Sequence, residues 1–146
     1  MNDDPLLLDA WMQDAIELAL RGRGQVEPNP PVGCLLLQGG EVGARGHHEF
    51  YGGRHAEAMA LDEARQKGAR PDTAVVTLEP CCTPKGQDGK KTDPCAQALV
   101  AAGIRRVVIG SIDPDPRHRR AGIAVLEQAG VEVLDGIAAR ACDALY

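Results

Sequence analysis

Aromatic side chains are nearly missing from this 146-residue sequence, with Trp11, Phe50, Tyr51 and Tyr146 the whole set. A core must therefore be assembled mainly from Leu, Val, Ile and Ala. No apolar run is long enough to cross a bilayer, the longest, 32–37, being broken by Gly33. A basic excess is lacking too. The net charge of −5 argues against a dedicated nucleic-acid binder, whose footprint is normally positive. The chain opens Met1-Asn2-Asp3-Asp4, acidic where a secretory leader would be positive, so the expected location is the cytoplasm, with no membrane association. Cysteines do not come in an even number. Five of them in a chain expected to stay in a reducing compartment point to metal binding or catalysis rather than to a disulfide framework.

What remains is ordinary soluble-protein composition, 44% apolar and 25% charged, on a length with room for one core and hardly for two. No repeat or low-complexity tract interrupts it. Leu6, Leu7, Trp11, Ala15, Leu18 and Ala19 recur at helical spacing, which predicts an amphipathic helix over 5–21. Pro28, Pro30 and Pro31 cannot continue it. A strand over 32–38, a turn at Gly39-Gly40 and a strand over 42–47 then read as an antiparallel hairpin. Helix is expected over 55–67, with Gly68 as its stop. Strands at 73–78, 106–110 and 131–134 alternate with helices at 94–102, 121–128 and 137–145. That alternation predicts parallel strands joined by right-handed crossovers. The sum is an α/β fold, a three-layer α/β/α domain on a five-stranded mixed sheet.

Three short pieces carry the chemistry: His55-Ala56-Glu57, Thr77-Leu78-Glu79-Pro80-Cys81 and Asp93-Pro94-Cys95. Each sits after a loop or strand near a predicted helix start, where unpaired N–H groups and a partial positive charge favour thiolate over thiol. One imidazole and two thiolates make a three-donor zinc set that leaves a fourth tetrahedral position for water, whose pKa falls to about 7 there. His55, Cys81 and Cys95 are thus the candidate ligands of Zn2+. Glu57, two residues beyond the histidine, is the candidate group for taking a proton from that water and delivering it to a substrate.

His-x-Glu followed by Pro-Cys and a second Cys is the arrangement of the zinc-dependent base deaminases. The chain resembles the cytidine-deaminase superfamily and, within it, the deaminase domain of the bifunctional riboflavin-biosynthesis enzymes. Pro28-Asn29-Pro30, Val32-Gly33, His48, Lys91-Thr92, Pro94-Cys95 and Asp113-Pro114 belong to the same pattern. Relatives acting on cytidine, guanine or tRNA adenosine mostly space their cysteines Cys-x-x-Cys, whereas the riboflavin branch separates them more widely. Here thirteen residues lie between Cys81 and Cys95, which resembles that branch with a longer loop. The resemblance implies a cytidine-deaminase-like fold and hydrolytic release of ammonia from a phosphoribosylated diaminopyrimidine. It implies that Asn29 and His48 line the base pocket, that Glu79 stands near the substrate amine, and that Lys91, Thr92 and Asp113 face the ribose-phosphate end. It also implies a homo-oligomer, dimer or tetramer. The bifunctional relatives continue into a reductase domain; residues 1–146 are expected to be a single deaminase domain without one. Two positions depart from the pattern. Ala121 stands where a basic residue is usual, and Asp115 where an asparagine is usual.

Plainer readings stand beside these. Cys34 lies in an apolar strand and reads as core; Cys142 reads as structural, and Cys82 as a bystander beside a ligand. His47 and His48 alternate on a strand, so only one faces the pocket. Phe50 and Tyr51 either stack on a base or, the favoured reading, cover the core's edge. The polar run 83–93 is a solvated loop or a lid over a phosphate. Arg117, Arg119 and Arg120 are a surface run or, as a minority reading, a phosphate clamp. Competing functions are deamination of another base, nucleoside or tRNA adenosine, and a zinc-stabilised binding domain without catalysis. The last is disfavoured by the retained Glu57, since a structural zinc site is normally closed by four ligands.

Overall fold

The computed structural model describes residues 4–84, 86 and 94–146. Helix α1 spans Pro5–Leu20, started by Asp4, whose carboxylate accepts the Leu6 N–H at 2.9 Å, and by Pro5 in the first turn, where a missing N–H costs nothing. Strand β1 (Gly33–Gln38) and strand β2 (Glu41–His47) form the hairpin. Then follow α2 (Ala56–Lys67), β3 (Thr73–Leu78), α3 (Cys95–Ala101), β4 (Arg106–Ser111), α4 (Ala121–Gln128), β5 (Glu132–Leu134) and α5 (Ala139–Asp143). The sheet order is β2-β1-β3-β4-β5. The pairs β1–β2 and β1–β3 are antiparallel, and β3–β4 and β4–β5 are parallel. The mixed sheet is therefore the one the alternation of elements predicts.

Side-chain alternation along the strands divides the core in two. Leu35, Leu37, Val75 and Val108 face α1, packing with Leu8, Trp11, Met12 and Ile16 and with Cys142 of α5. Cys34, Leu36, Val76, Val107 and Ile109 face the other way, onto Ala60 and Leu61 of α2, Leu99 of α3, and Ile123 and Leu126 of α4. Both faces being covered explains why β1, β3 and β4 read as near-continuous apolar runs. No described helix is long and apolar enough to cross a membrane.

One element is shorter than its periodicity suggested. The expected helix over 137–145 begins only at Ala139, because Ala138 has a left-handed backbone (φ 53°) and cannot be a helical residue. By contrast α2 stops at Gly68 (φ 71°), the position expected for it.

The carboxyl ends of the parallel strands β3 and β4 meet the starts of α2, α3 and α4 at one edge of the sheet, the usual place for a ligand in an open α/β sheet. Gly46 of β2 sets how closely α2 approaches. A Cβ there would stand 2.4 Å from the Ala56 carbonyl oxygen and 2.5 Å from the Ala60 nitrogen. The first turn of α2, with His55 before it, is thus seated on bare backbone. Gly46→Ala should lower stability by roughly 1–3 kcal/mol, the usual range for forcing a methyl into a packed core, and should weaken metal affinity at the same time. An unchanged urea midpoint would contradict this packing.

Candidate metal centre and active site

His55 immediately precedes α2 with extended backbone (φ −72°, ψ 161°), so its side chain leaves the helix axis and turns toward the end of β3. Cys81 lies three residues past that strand, and Cys95 is the first residue of α3. The turn carrying Cys81 is fastened to α3 by Ala96 N–H donating to the Cys81 carbonyl at 2.9 Å, and Cys95 N–H points at Cys81 Sγ at 3.4 Å. His55 Nδ1 then lies 3.6 Å from Cys81 Sγ and 3.4 Å from Cys95 Sγ, and the three donor atoms all fall within 4.8 Å of one another. Donors on a tetrahedral ion with bonds of about 2.0–2.3 Å stand about 3.5 Å apart, so this trio fits such an ion.

Electrostatics separate Cys81 from Cys34, Cys82 and Cys142. Hydrogen bonding from Cys95, then from His55 and the Cys95 amide, holds the Cys81 thiol down at about 3, making it a thiolate. Burial raises Cys34, and it pushes Cys142 up to about 11; Cys82 is raised by its partial burial and then by the negative charges of Cys81, Glu79 and Asp113. Those three are thiols, Cys34 and Cys142 in the two halves of the core and Cys82 against its edge.

Glu57, in the first turn of α2, is 4% exposed. Burial first, and the neighbouring Cys81 thiolate second, raise its carboxyl to about 7, while His55 opposes the shift. A carboxyl so placed exchanges protons near neutral pH.

Glu57 opens onto a cavity of about 200 Å³ that is also lined by Asn29, His48, His55, Glu79, Cys81 and Asp113. That is smaller than the roughly 300–1,000 Å³ of sites for drug-sized ligands, so it has room for a single heterocycle. His48 is fixed inside it. Its Nδ1 lies 2.8 Å from the Arg54 carbonyl, which can only accept, so Nδ1 carries the proton and Nε2 takes the Asn29 amide N–H at 3.1 Å. The ring meets His55 edge to face with centroids 5.6 Å apart. A larger groove of about 750 Å³ lies elsewhere, near the C-terminal ends of α2 and α3, but its lining has neither an imidazole nor a thiol.

Asn29, His48, Glu79 and Asp113 are therefore brought to the same cavity as His55, Glu57 and Cys81, while Lys91 and Thr92 lie outside the described residues. Most of the run 83–93 does too. Phe50 and Tyr51, expected to cover the core's edge, are each 56% exposed, and the Phe50 ring lies over Gly53. In the basic run, Arg117 bonds to Asp115 at 2.8 Å and Arg120 to Asp135 at 3.4 Å. Asp115, the carboxylate replacing the usual asparagine, is thus partnered, and the Arg117 bonds hold it down at about 2. Sequence reasoning missed the apolar wall made by Val32, Ala56 and Leu78, which look like any other strand or helix residues. It also missed the partners of Glu79. Its carboxylate accepts three backbone N–H groups, those of Asp113, Arg120 and Ile123.

Comparison with known proteins places these features. Residues 7–111 match the family described as the cytidine and deoxycytidylate deaminase zinc-binding region. The chain is 45% identical over 137 residues to riboflavin biosynthesis protein RibD of Actinobacillus pleuropneumoniae, covering 92% of this chain and 34% of that protein. It is 39% identical over 127 residues to the diaminohydroxyphosphoribosylamino-pyrimidine deaminase of Buchnera aphidicola from Schizaphis graminum, covering 87% of this chain and 82% of that one. The crystal structure of the Thermotoga maritima diaminohydroxyphosphoribosylaminopyrimidine deaminase/reductase superposes with a TM-score of 0.88 at 39% identity, over 97% of this chain and 39% of that one. The chain thus spans about a third of the length of the RibD proteins it matches. The zinc in the family's description suits the His-Cys-Cys donor set.

The raised carboxyl of Glu57 has a stability consequence. A group with its folded pKa raised contributes stability that is fully present below its unfolded value near 4.5 and is lost as pH rises through about 7. Metal-free Glu57→Gln should therefore gain on metal-free wild type between those two pH values, by roughly 3 kcal/mol at most. Urea midpoints of both proteins at pH 5 and pH 8 test this; a difference independent of pH would contradict the assignment.

Proposed function

Because the chain belongs to the cytidine and deoxycytidylate deaminase zinc-binding family, we propose that it is a hydrolytic deaminase acting on the phosphoribosylated diaminopyrimidine of riboflavin biosynthesis. The observation that carries this reading is the buried Glu57 beside a three-donor metal cluster, in a cavity sized for one ring. The Buchnera relative, 82% covered by this chain, is named for the deaminase reaction alone, which supports the choice of substrate.

His55, Cys81 and Cys95 would hold the zinc, which would serve as a Lewis acid and lower the pKa of a water there to about 7. The remaining work falls to the chain's own groups. Asn29 and His48 fix the ring, the imidazole being locked in one tautomer by the Arg54 carbonyl. The apolar wall of Val32, Ala56 and Leu78 keeps bulk solvent from the reacting carbon. Glu57 takes a proton from the attacking water and passes it to the substrate. The new C–O bond forms as the amine-bearing carbon becomes tetrahedral, and the C–N bond then breaks with release of ammonia. A carboxyl raised toward neutrality suits both halves of this transfer, because it neither holds nor gives up the proton too strongly.

By resemblance we assign Asp113, which lines the cavity, to the sugar, and Lys91 and Thr92 to the phosphate end. On this reading the enzyme works in the cytoplasm on a small-molecule substrate, as a homo-oligomer.

Ammonia release from a panel of guanine, cytidine, tRNA adenosine and the phosphoribosylated diaminopyrimidine tests the proposal. The last should be turned over fastest, and higher activity on any other member would overturn the substrate assignment. Glu57→Gln should keep its zinc and lose roughly 10²–10⁴-fold or more in turnover. Full activity in that variant would rule out the proton transfer.

A further inference from the structure

Glu79 is almost wholly buried, 5% exposed, at the end of β3 and two residues before Cys81. Its carboxylate gathers backbone from a single stretch on the far side of the pocket. Oε1 accepts the N–H of Asp113 at 3.1 Å and of Arg120 at 3.0 Å, and Oε2 accepts that of Ile123 at 3.2 Å. Helix α4 has no side-chain cap of its own and no acid in its first turn, so Glu79 does the work of a cap from another element. Arg120 and Ile123 belong to the open N-terminal turn, where orphan N–H groups and a partial positive charge favour a carboxylate.

Two further observations show that the arrangement is under constraint. Arg120 holds a left-handed backbone (φ 63°, ψ 6°), a conformation that disfavours a side chain and persists only when its surroundings impose it. Behind it, α4 is pressed onto the Glu79-Pro80 turn. A Cβ on Gly122 would stand 1.9 Å from the Pro80 carbonyl oxygen. The turn that leads to Cys81 and the segment that begins at Asp113 are thus one rigid piece, with the Glu79 carboxylate at its centre. Asp113 in turn accepts the Asp115 N–H at 2.9 Å, which carries the order outward along the loop.

We infer that Glu79 is a positioning residue. It sets the distance between the metal-binding turn and the 113–120 wall, and through that backbone it shapes the part of the pocket that receives the sugar-phosphate end of the substrate. Three backbone amides engage its two oxygens, which suits a group that holds the wall in place. This inference rests on the proposed phosphoribosylated substrate, which supplies the group that the wall would hold.

The test compares wild type, Glu79→Gln, Glu79→Ala and the double variant Glu79→Gln/Arg120→Gly, each with zinc content measured. Kinetics use the phosphoribosylated diaminopyrimidine and the same pyrimidine without its phosphoribosyl group. Glu79→Gln keeps one carbonyl acceptor but presents an NH2 to Ile123, so it should fold and show a KM raised severalfold for the phosphoribosylated compound. Glu79→Ala should raise that KM at least tenfold. In both, the loss should fall on KM more than on kcat, zinc should stay at the wild-type level, and the smaller pyrimidine should lose much less than the phosphoribosylated compound. Glycine adopts the left-handed backbone freely. Adding Arg120→Gly to Glu79→Gln should therefore recover most of the lost KM. A fall in kcat at constant KM, an equal loss on both compounds, or no recovery with glycine would overturn the inference.

Amide hydrogen exchange separates this inference from the substrate reading. Glu79→Gln should lose protection at Arg120 and Ile123 whatever the substrate; retained protection would overturn the positioning role by itself. Wild-type protein inactive on the phosphoribosylated compound would instead overturn the substrate reading.

Discussion

Two sulfur atoms stand 3.4 and 3.6 Å from one imidazole nitrogen, that of His55, at the point where two helices start beside the end of a strand. One sulfur is a thiolate, and a buried carboxyl lies next to it. Burial first, and that thiolate second, raise the Glu57 carboxyl. A divalent ion held by His55, Cys81 and Cys95 would supply the positive charge that offsets both groups. The pocket is thus built around a charge that the chain does not itself carry.

Holding such a cluster requires stiff supports, and the fold supplies them through backbone-to-backbone packing. Gly46 lets α2 lie directly on β2, fixing His55 and Glu57; Gly122 lets α4 lie on Pro80, next to Cys81. Cys95 and Ala96 fasten the Cys81 turn to α3 through their amide groups. The rest of the cavity is ordered in the same manner, with His48 held by a carbonyl and an amide, and the 113–123 stretch held by one carboxylate. Most of these restraints use main-chain groups, so the site's geometry depends on how the elements dock more than on which side chains surround it.

That dependence explains what could be read in the sequence. Strand and helix positions followed from apolar periodicity and from Gly and Pro, and the donor set followed from residue type and spacing, because zinc chemistry demands particular atoms. Asn29, His48 and Asp113 could be placed at one cavity only through resemblance to a family. The work of Glu79 was not legible, since its partners are backbone N–H groups that every residue but proline possesses. Nor was the left-handed backbone of Arg120 and Ala138, which neither residue type announces. Phe50 and Tyr51, expected to cover the core's edge, are more than half exposed, which their residue types do not announce.

The most direct check on the central claim is X-ray absorption at the zinc edge of protein reconstituted with one equivalent of the metal. Two sulfur neighbours at about 2.3 Å, together with nitrogen or oxygen neighbours at about 2.0–2.1 Å, are the expected shell. A shell without sulfur, or one with three or more sulfurs, would contradict the pairing of His55 with Cys81 and Cys95.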